Sequence, residues 1–417
     1  MTRTHLLSFR GLALALTLGL AVSVLPAEPS AAVGQRVTKR FFGMTDTDPV
    51  SWPRAAVGAI RLWDSGVTWR QIEKSPGNYD FSALDAQVAA ARSNGARPLL
   101  VLGMTPRFHA KRPNAAGVYG TGSTSPPDIG PWKNYVATVV RRYAGKMDYQ
   151  VWNEANVADF WRGSPRKMAT LTKVTSRVVA RNDKRAKVVS PALATRLTSQ
   201  RKWLRTFYAQ RTGGRPVAGW VDVVSLNLYP LPQDGPETSM KLLSASRTML
   251  SALGVRKPIW NTEINYGLQT GGGGTAGNIS RRREAAYVGR TYVLNAANNV
   301  KRVFWYSWQT QSLANTQLTA GDGVTLTRAG SAYKVVHDWL AGSRTQGCSR
   351  DGRGTYTCTL KYSSGVKRIY WNPSRRATIR TVGSATRMVT MAGTTTSLKG
   401  GERVGVRFSP VMVRSGR

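Results

Sequence analysis

Two glutamates, Glu154 and Glu263, are the residues of this 417-residue sequence whose surroundings point most clearly to chemistry. Each follows a short apolar run, residues 149–153 in one case and residues 258–262 in the other. A carboxylate is costly to bury at the end of an apolar strand unless it has a partner or a function. Two carboxyl groups facing each other across a cleft can cleave a glycosidic bond, because one protonates the leaving oxygen while the other attacks the anomeric carbon or activates water. Either glutamate taken alone could instead be a structural ion-pair partner.

The elements that must position these glutamates follow a regular alternation between residues 40 and 342. The candidate strands are residues 41–45, 59–64, 98–104, 149–153, 187–191, 221–229, 258–264 and 300–308. The candidate helices are residues 84–93, 132–144, 167–181, 242–253, 283–298 and 329–340. Eight strands alternating with helices predict an α/β fold, the (β/α)8 or TIM barrel, whose functional groups lie where the strands end. An open doubly wound sheet is the alternative, but the sequence has no phosphate-binding first turn.

Residues 343–417 have a different composition from the rest of the chain. Period-two alternation marks residues 355–360, 366–371, 377–381, 388–391 and 404–413, and predicts a small antiparallel β-sandwich. The predicted domains are therefore a signal segment at residues 1–32, a barrel at residues 33–342 and a C-terminal domain at residues 343–417. Fifteen Lys and Arg against two acidic residues give this last domain a net charge of +13.

The whole chain is strongly basic, with 60 Lys and Arg against 21 Asp and Glu and a formal net charge of +39. Such an excess favours polyanionic partners such as acidic glycans, cell-wall polymers or nucleic acid. Aromatic and basic residues do not interleave in a recognisable single-strand motif, so we expect no specific nucleic-acid partner. Three His and two Cys are too few for a zinc-ribbon or iron–sulfur framework, and we expect neither a metal nor a cofactor. A hard cation bound by carboxylates is the one alternative.

Residues 1–32 have the pattern of a secretory signal, so we expect a secreted protein. Arg3 and Arg10 form a basic region, an apolar run covers residues 11–25, and small residues follow at 30–32. The apolar run is short for a membrane span, although an uncleaved N-terminal anchor is the alternative. In an exported protein Cys348 and Cys358, which we place in a loop rich in Gly and Arg, are expected to form a structural disulfide rather than stay reduced.

Both glutamates end motifs that resemble those of glycoside hydrolase clan A, which comprises retaining (β/α)8 enzymes. The sequence Trp-Asn-Glu ends at Glu154, and Trp-Asn-Thr-Glu ends at Glu263. The segments 61–69, 79–81 and 84–85 most resemble family thirty-nine and its distant bacterial relatives, and residues 323–340 resemble the last loop and helix of the clan. An Asn-Glu pair alone is a weak signal, whereas the two motifs together, on the fourth and seventh predicted strands, are a specific one. The resemblance spans roughly residues 41–342, and it implies that Glu154 is the acid/base and Glu263 the nucleophile.

The resemblance also implies roles for other residues at the strand ends. Asn153 would bind the 2-hydroxyl of the sugar at the cleaved bond, or it could merely cap the next helix. Tyr229 resembles the tyrosine that hydrogen-bonds the nucleophile, although a core tyrosine is the alternative. Arg61 resembles the arginine that keeps the nucleophile ionised, although it could be one more surface arginine. Trp308 resembles the tryptophan that forms the floor of the sugar subsite. His109, on the third loop, is either a sugar contact or a buried packing residue.

Two further groups of residues have weaker signals. Five aromatic side chains could stack on sugars or could be structural: Trp63, Trp69, Phe108, Trp161 and Tyr266. Residues 272–277 match a dinucleotide-binding fingerprint, but they lie well beyond their strand and no acidic residue follows about twenty positions later. We interpret this segment as a loop.

The sequence therefore predicts a secreted, monomeric, retaining glycoside hydrolase that cleaves O-glycosidic bonds of a polysaccharide or oligosaccharide by double displacement with two glutamates. Its charge is compatible with an acidic substrate, and we expect the basic C-terminal domain to bind an anionic cell-wall or matrix polymer. The alternative is a non-catalytic barrel that binds glycans or polyanions. Carboxyl groups more than about 9 Å apart would favour that alternative, because they would lie beyond even an inverting pair.

Overall fold

Eight parallel strands form the centre of the fold. The computed structural model describes residues 34–269, 275–276, 279–309 and 316–416. The strands are β1 (Phe42–Thr45), β2 (Ala59–Leu62), β3 (Arg97–Leu102), β4 (Asp148–Val151), β5 (Val188–Val189), β6 (Val224–Asn227), β7 (Ile259–Ile264) and β8 (Arg302–Tyr306). Each of them overlaps one predicted strand. Their order in the sheet is β6-β7-β8-β1-β2-β3-β4-β5, and all neighbouring pairs are parallel.

The two ends of this sheet meet. Two isolated parallel bridges, Val189↔Val223 and Ala194↔Asn227, join the chain around β5 to the chain around β6. The predicted (β/α)8 barrel is therefore confirmed, and the open doubly wound sheet is wrong.

Helices follow seven of the eight strands. They are α1 (Trp69–Ile72) and α2 (Ser82–Ser93) after β2, then α3 (Ile129–Arg142), α4 (Pro165–Asn182), α5 (Thr198–Tyr208), α6 (Pro236–Ala252), α7 (Arg281–Ala297) and α8 (Arg328–Leu340) after β3 to β8. The structure describes all of residues 46–58 between β1 and β2, and they contain no α-helix. The sequence did not predict α5, because its buried side chains are only Leu204, Phe207 and Tyr208 on an otherwise polar segment.

The helices cover the outside of the barrel, so its strands are buried on both faces. Helix α3 shows why the sequence folds in this way. Its buried residues include Trp132, Tyr135, Val136, Val139 and Val140, which recur three and four positions apart and so form one apolar stripe. The predicted periodicity was therefore a reliable guide to the outer layer of the barrel.

The C-terminal residues form two antiparallel sheets, as predicted. The strands are β9 (Arg344–Arg350), β10 (Tyr356–Tyr362), β11 (Gly365–Trp371), β12 (Ala377–Arg380), β13 (Ala385–Thr390), β14 (Thr395–Ser397), β15 (Arg403–Val406) and β16 (Val411–Ser415). Six of them form a sheet in the order β9-β10-β11-β16-β13-β14, and β12 pairs with β15. The single strand predicted at residues 404–413 is wrong, because the chain turns between β15 and β16. Strands β9 and β14 were not predicted.

Cys348 and Cys358 form a disulfide, as expected, but their predicted position in a loop is wrong. Cys348 lies in β9 and Cys358 in β10, and the two residues are directly opposite each other in the antiparallel ladder. Facing positions on neighbouring strands bring two Cβ atoms close enough for a disulfide. The sequence did not reveal this because Gly347, next to Cys348, is a poor strand former.

The C-terminal sheets pack against helices α6 and α7 of the barrel. The indole nitrogen of Trp371 donates to Glu237 at 2.8 Å, and Glu237 also forms an ion pair with Arg290 of α7. Met391 lies so close to Gly289 that a Cβ at position 289 would be 2.7 Å from the Met391 sulfur. These contacts join the C-terminal sheets and the barrel in one compact unit, Val33–Arg417. The predicted domain boundaries at residues 32 and 342 stay predictions.

None of the described helices is both long enough and apolar enough to cross a membrane. The predicted signal segment at residues 1–32 and most of the glycine-rich segment at residues 272–277 lie outside the described residues.

Candidate active site

Glu154 and Glu263 lie close together where strands of the barrel end. Glu154 follows β4, and Glu263 lies in β7, opposite Asn227 of β6. A shift of register after Leu226 gives Asn227 this partner. Asn227 Nδ2 donates to Glu154 Oε1 at 3.0 Å and to Glu263 Oε2 at 3.4 Å. Because both distances share one nitrogen, these two carboxylate oxygens are no further apart than the sum of the two distances.

The backbone that carries Glu154 has an unusual conformation. Trp152 and Glu154 have φ angles of +74° and +39°, in the left-handed region that non-glycine residues seldom adopt. The surrounding structure holds them there. The backbone N–H of Trp152 donates to the Leu102 carbonyl at 2.7 Å, and its indole nitrogen donates to the Phe160 carbonyl at 2.9 Å. Backbone strain of this kind often occurs at functional sites, where neighbouring contacts stabilise it.

Glu263 accepts hydrogen bonds from three groups. The guanidinium Nη1 of Arg61 forms an ion pair with Glu263 Oε2 at 2.8 Å, and the Tyr229 hydroxyl donates to Glu263 Oε1 at 3.0 Å. Asn227 supplies the third donor. Arg61 also donates to Asn153 Oδ1 at 2.6 Å, which holds this amide beside the carboxylate pair. Asn153 does not cap the next helix, because the N-cap of α4 is Ser164.

A chain of hydrogen bonds through the barrel interior fixes the orientation of the Asn227 amide. Arg61 Nε donates to Gln150 Oε1 at 2.8 Å, and Gln150 Nε2 donates to Ser225 Oγ at 2.6 Å. Ser225 is hydrogen-bonded to Thr262, whose hydroxyl donates to Asn227 Oδ1 at 2.9 Å. An arginine can only donate, so each later link has a defined direction. The Asn227 oxygen therefore faces Thr262, and its nitrogen faces the two carboxylates.

The surroundings give the two carboxyl groups different proton affinities. Burial raises the pKa of Glu154, and the charge of Glu263 raises it further. Burial also raises the pKa of Glu263, but Arg61, Tyr229 and Asn227 all oppose that effect. Burial raises the pKa of the Tyr229 hydroxyl well above its ordinary value, so it stays a donor. Because Glu263 has more donors and a directly paired cation, it ionises before Glu154, which retains its proton to higher pH.

A cavity of about 290 Å³ opens over the carboxylate pair. It is lined by Trp63, Asp64, Asn153, Glu154, Val157, Phe160, Ala194, Thr195, Arg196, Gln200, Asn227, Tyr229, Glu263 and Tyr306. Asp64 is a third carboxyl group, and it accepts hydrogen bonds from the hydroxyls of Tyr306 and Tyr119. Burial raises the pKa of Asp64 to about 6, although the Tyr306 hydrogen bond opposes this. The site therefore combines apolar walls with a few convergent polar groups, which is typical of small-molecule sites.

Two of the predicted sugar-binding residues do not line the cavity. Trp308 is completely buried and packs edge-on against Tyr333, so its ring has no surface exposed for a sugar. His109 lies outside the cavity, with Nε2 3.2 Å from Glu73 Oε1 and its ring stacked on Trp69. Both side chains pack within the protein rather than lining the cavity.

The other predicted site residues are brought together. Glu154, Glu263, Asn153 and Tyr229 line the cavity, and Arg61 lies completely buried beneath them. Of the five aromatic residues considered for the cleft, Trp63 lines the cavity, whereas Trp69, Phe108, Trp161 and Tyr266 do not.

The sequence did not single out several residues of the cavity. Asn227 and Asp64 lie at the ends of predicted strands, and that position was the available signal. Arg196 precedes the unpredicted helix α5 and Gln200 lies in its first turn, so nothing in the sequence pointed to them. Among the described residues, no three His, Cys, Asp or Glu side chains are grouped so that they could hold a metal ion.

Comparisons with known proteins agree with this geometry. Residues 142–333 match the family model of the glycosyl hydrolase catalytic core. This segment includes both glutamates, Asn227 and Tyr229. This segment of the chain is therefore similar to a glycoside hydrolase catalytic core.

Solved structures of glycoside hydrolases have the same fold. A family 39 glycoside hydrolase from Bacteroides cellulosilyticus superimposes with a TM-score of 0.70 at 18% identity, covering 92% of this chain and 83% of that one. For a family 39 β-xylosidase from Caulobacter crescentus the TM-score is 0.64 at 16% identity, over 93% and 98% of the two chains. A family 30 endoxylanase from Clostridium papyrosolvens has a TM-score of 0.58 at 14% identity, covering 92% of this chain and 98% of that one. The resemblance to clan A and to family thirty-nine is thus confirmed for the fold.

Proposed function

We propose that this protein is a retaining O-glycoside hydrolase that acts on a polysaccharide or oligosaccharide, with Glu263 as nucleophile and Glu154 as acid/base. The observation that carries the proposal is the shared Asn227 amide, whose nitrogen lies 3.0 Å from an oxygen of Glu154 and 3.4 Å from an oxygen of Glu263. In retaining enzymes the two carboxyl groups are about 5–5.5 Å apart, whereas inverting enzymes need about 6.5–9.5 Å to admit a water. Since the sum of the two Asn227 distances is an upper limit that falls short of the inverting range, the geometry supports direct attack by a carboxylate.

The assignment of roles rests on the difference in proton affinity. The nucleophile must be ionised when substrate binds, and the ion pair with Arg61 and the phenol of Tyr229 favour this state in Glu263. The acid must hold a proton, and burial beside a second carboxylate favours this state in Glu154. After the leaving group departs, the ionised Glu154 would activate water to hydrolyse the glycosyl-enzyme.

The non-catalytic alternative has less support. A barrel that only binds glycans does not need two buried carboxyl groups so close that one amide nitrogen reaches both, since such a pair is destabilising through like-charge repulsion and desolvation. Such a barrel also does not need the chain of hydrogen bonds that keeps a donor on each of the two carboxyl groups.

The test is a reducing-end release screen over neutral and acidic glycans, followed by azide rescue of the two alanine variants. Glu263→Ala removes covalent catalysis on every substrate, whatever its leaving group. Glu154→Ala should lower activity on natural glycans by about 10²–10⁴-fold, the usual worth of general acid catalysis. On an aryl glycoside with a good leaving group, Glu154→Ala should form the glycosyl-enzyme but fail to hydrolyse it.

Azide distinguishes the two roles by the configuration of the product. With Glu154→Ala it should attack the glycosyl-enzyme and give a glycosyl azide of the substrate's own configuration. With Glu263→Ala it should replace the nucleophile and give the opposite configuration. Glu284→Ala, a half-buried glutamate outside the cavity, is the matched control and should keep full activity. Reversed azide products would exchange the two roles, and full activity of both variants on a cleaved substrate would refute the mechanism.

We also propose that the protein is secreted as a monomer and binds an anionic cell-wall or matrix polymer through its C-terminal domain. The support is the signal pattern at residues 1–32 and the +13 charge of residues 343–417, with fifteen basic and two acidic residues. Binding by counterion release weakens steeply with salt, so retention on an acidic polymer should collapse between about 50 and 200 mM salt. Replacing the exposed Arg376, Arg387 and Arg403 by Gln should weaken retention without affecting cleavage. Salt-insensitive retention would contradict the proposal.

A further inference from the structure

Arg196 is the one basic residue among the described residues that line the cavity. It is half-buried, and no carboxylate of the described residues lies within ion-pair distance of it. Its described hydrogen bond is a long one, from Nη1 to the Pro230 carbonyl at 3.3 Å. The other basic group near the site, Arg61, is completely buried and donates to Glu263, Asn153 and Gln150. Most of the guanidinium donors of Arg196 therefore have no partner among the described residues.

A second free donor lies beside Arg196 in the cavity lining. Gln200 Oε1 accepts from the backbone N–H of Leu197 at 2.9 Å, which leaves Nε2 as the free end of that amide. Among the described residues Gln200 Nε2 has no hydrogen-bond acceptor. This part of the cavity thus offers an arginine fork and an amide N–H₂ without an acidic side chain of its own, so its chemistry suits an anion.

The loop that carries Arg196 is held rigidly next to the acid/base. Asn156, two residues after Glu154, donates to the carbonyls of Ala194 at 2.7 Å and Gln200 at 3.1 Å. Its side-chain oxygen accepts from the Ala194 N–H at 3.0 Å. From the far side, Arg201 Nη1 donates to the carbonyl of Arg196 at 2.8 Å. The same short segment therefore fixes both the Glu154 turn and the Arg196 loop, which is how a preorganised binding group is supported.

The remaining charges of the cavity decide where an anionic substrate could go. Ionised Glu263 and Asp64 would repel a substrate carboxylate, and the protonated Glu154 has no charge to attract it. Arg196 is the charge that would compensate this repulsion. On these grounds, and resting on the proposed glycosidase function, we propose that Arg196 and Gln200 form a subsite for the carboxylate of a uronic-acid-type sugar next to the cleaved bond. The substrate class is thus an acidic glycan.

A bidentate arginine–carboxylate contact matches the planar shape of a carboxylate better than that of a sulfate ester. The experiment therefore uses substrates that differ only at the carboxyl group. Glucuronoxylan, alginate and hyaluronan are each compared with the same polymer after chemical reduction of its carboxyl groups to hydroxymethyl groups. We expect wild-type kcat/KM to be at least 10-fold higher on the native form of the polymer that is cleaved best.

Arg196→Gln should lower kcat/KM on the native polymer by about 10–100-fold, the worth of a charged hydrogen-bonded pair. It should change kcat/KM on the reduced polymer less than about 3-fold, and Arg196→Lys should be intermediate because it keeps the charge without the fork. Arg205→Gln, an exposed arginine on α5, is the matched control and should behave as wild type on both forms.

A purely supporting role for Arg196 gives a different pattern. Its charge lowers the pKa of Glu154. If that were its function, Arg196→Gln would impair native and reduced polymers equally and would shift the alkaline limb of both pH profiles to higher pH. Equal losses of this kind would overturn the inference, as would cleavage of reduced polymers in preference to native ones.

Binding measurements separate this inference from the proposed function. If the wild type cleaves no polymer, the glycosidase proposal fails. The subsite is then tested by measuring the binding of simple sugars to the Glu263→Gln variant. The measurement uses about 150 mM salt, where surface charges are screened. Glucuronate and galacturonate should bind more tightly than glucose and galactose, and the additional Arg196→Gln change should abolish that preference. Glucose 6-sulfate tests whether the subsite prefers a carboxylate to a sulfate. If it binds as tightly as glucuronate, a carboxylate subsite is refuted. Unchanged uronate preference in the double variant would also refute it.

Discussion

Thr262→Val tests whether the hydrogen-bond chain beneath the site orients the Asn227 amide. Valine has nearly the shape of threonine, so the packing inside the barrel is retained while one hydroxyl is removed. That hydroxyl donates to Asn227 Oδ1 at 2.9 Å and is also hydrogen-bonded to Ser225. Without it the amide can rotate, which would turn its oxygen toward Glu154 and Glu263 in place of its nitrogen.

The size of the effect follows from what the substitution leaves unpaired. Asn227 and Thr262 are completely buried or nearly so, and carboxyl groups that lose the Asn227 donor there lose about 1–3 kcal/mol of stabilisation during catalysis. Each step of about 1.36 kcal/mol of lost transition-state stabilisation is a factor of ten in rate, so kcat/KM should fall by about 5–150-fold. The Asn227 hydrogen bonds lower the pKa of both carboxyl groups. Their loss raises both pKa values, so both limbs of the pH profile of kcat/KM should move to higher pH.

The assay is the pH dependence of kcat/KM on an aryl glycoside that the wild type cleaves, with circular dichroism to establish that each variant is folded. Thr262→Ser keeps the hydroxyl and is the matched control, so it should retain the wild-type profile. A folded Thr262→Val enzyme with kcat/KM within twofold of wild type and an unshifted profile would show that the chain does not orient the amide.

Three further predictions concern single groups. Tyr229→Phe removes a 3.0 Å hydrogen bond to Glu263, so kcat/KM should fall by about 10-fold and its acidic limb should move to higher pH; an unchanged limb would refute this role. Replacing Cys348 and Cys358 by Ser should lower the free energy of unfolding in urea by about 2–3 kcal/mol without changing kcat, and added reductant should give wild type the same loss. Burial raises the pKa of Asp46 from 3.8 to about 7, so its ionisation destabilises the fold increasingly as the pH rises between these values. Asp46→Asn should therefore raise the free energy of unfolding at pH 8, by at most about 4 kcal/mol, but not at pH 4; an equal gain at both pH values would contradict the burial effect.

The sequence by itself determined the barrel and the two glutamates. Buried parallel strands need apolar runs, and helices packed on them need apolar stripes at helical spacing, so both leave local patterns. Glu154 and Glu263 are visible for a related reason, since a carboxyl group directly after such a run is energetically anomalous. The Arg61 and Tyr229 positions followed once the order of the strands was known, because strand ends meet at one face of a barrel.

Only the tertiary structure decided how these residues meet. The bridge that Asn227 makes between the glutamates depends on a register shift after Leu226, which has no local sequence signal. Trp308 and His109 stand near strand ends as predicted, yet each packs against neighbours from distant segments rather than lining the cavity. Arg196 enters the cavity because Asn156 anchors its loop from a distant part of the sequence. These contacts form between side chains from different segments of the chain. A single sequence lists these side chains but does not show which of them come into contact.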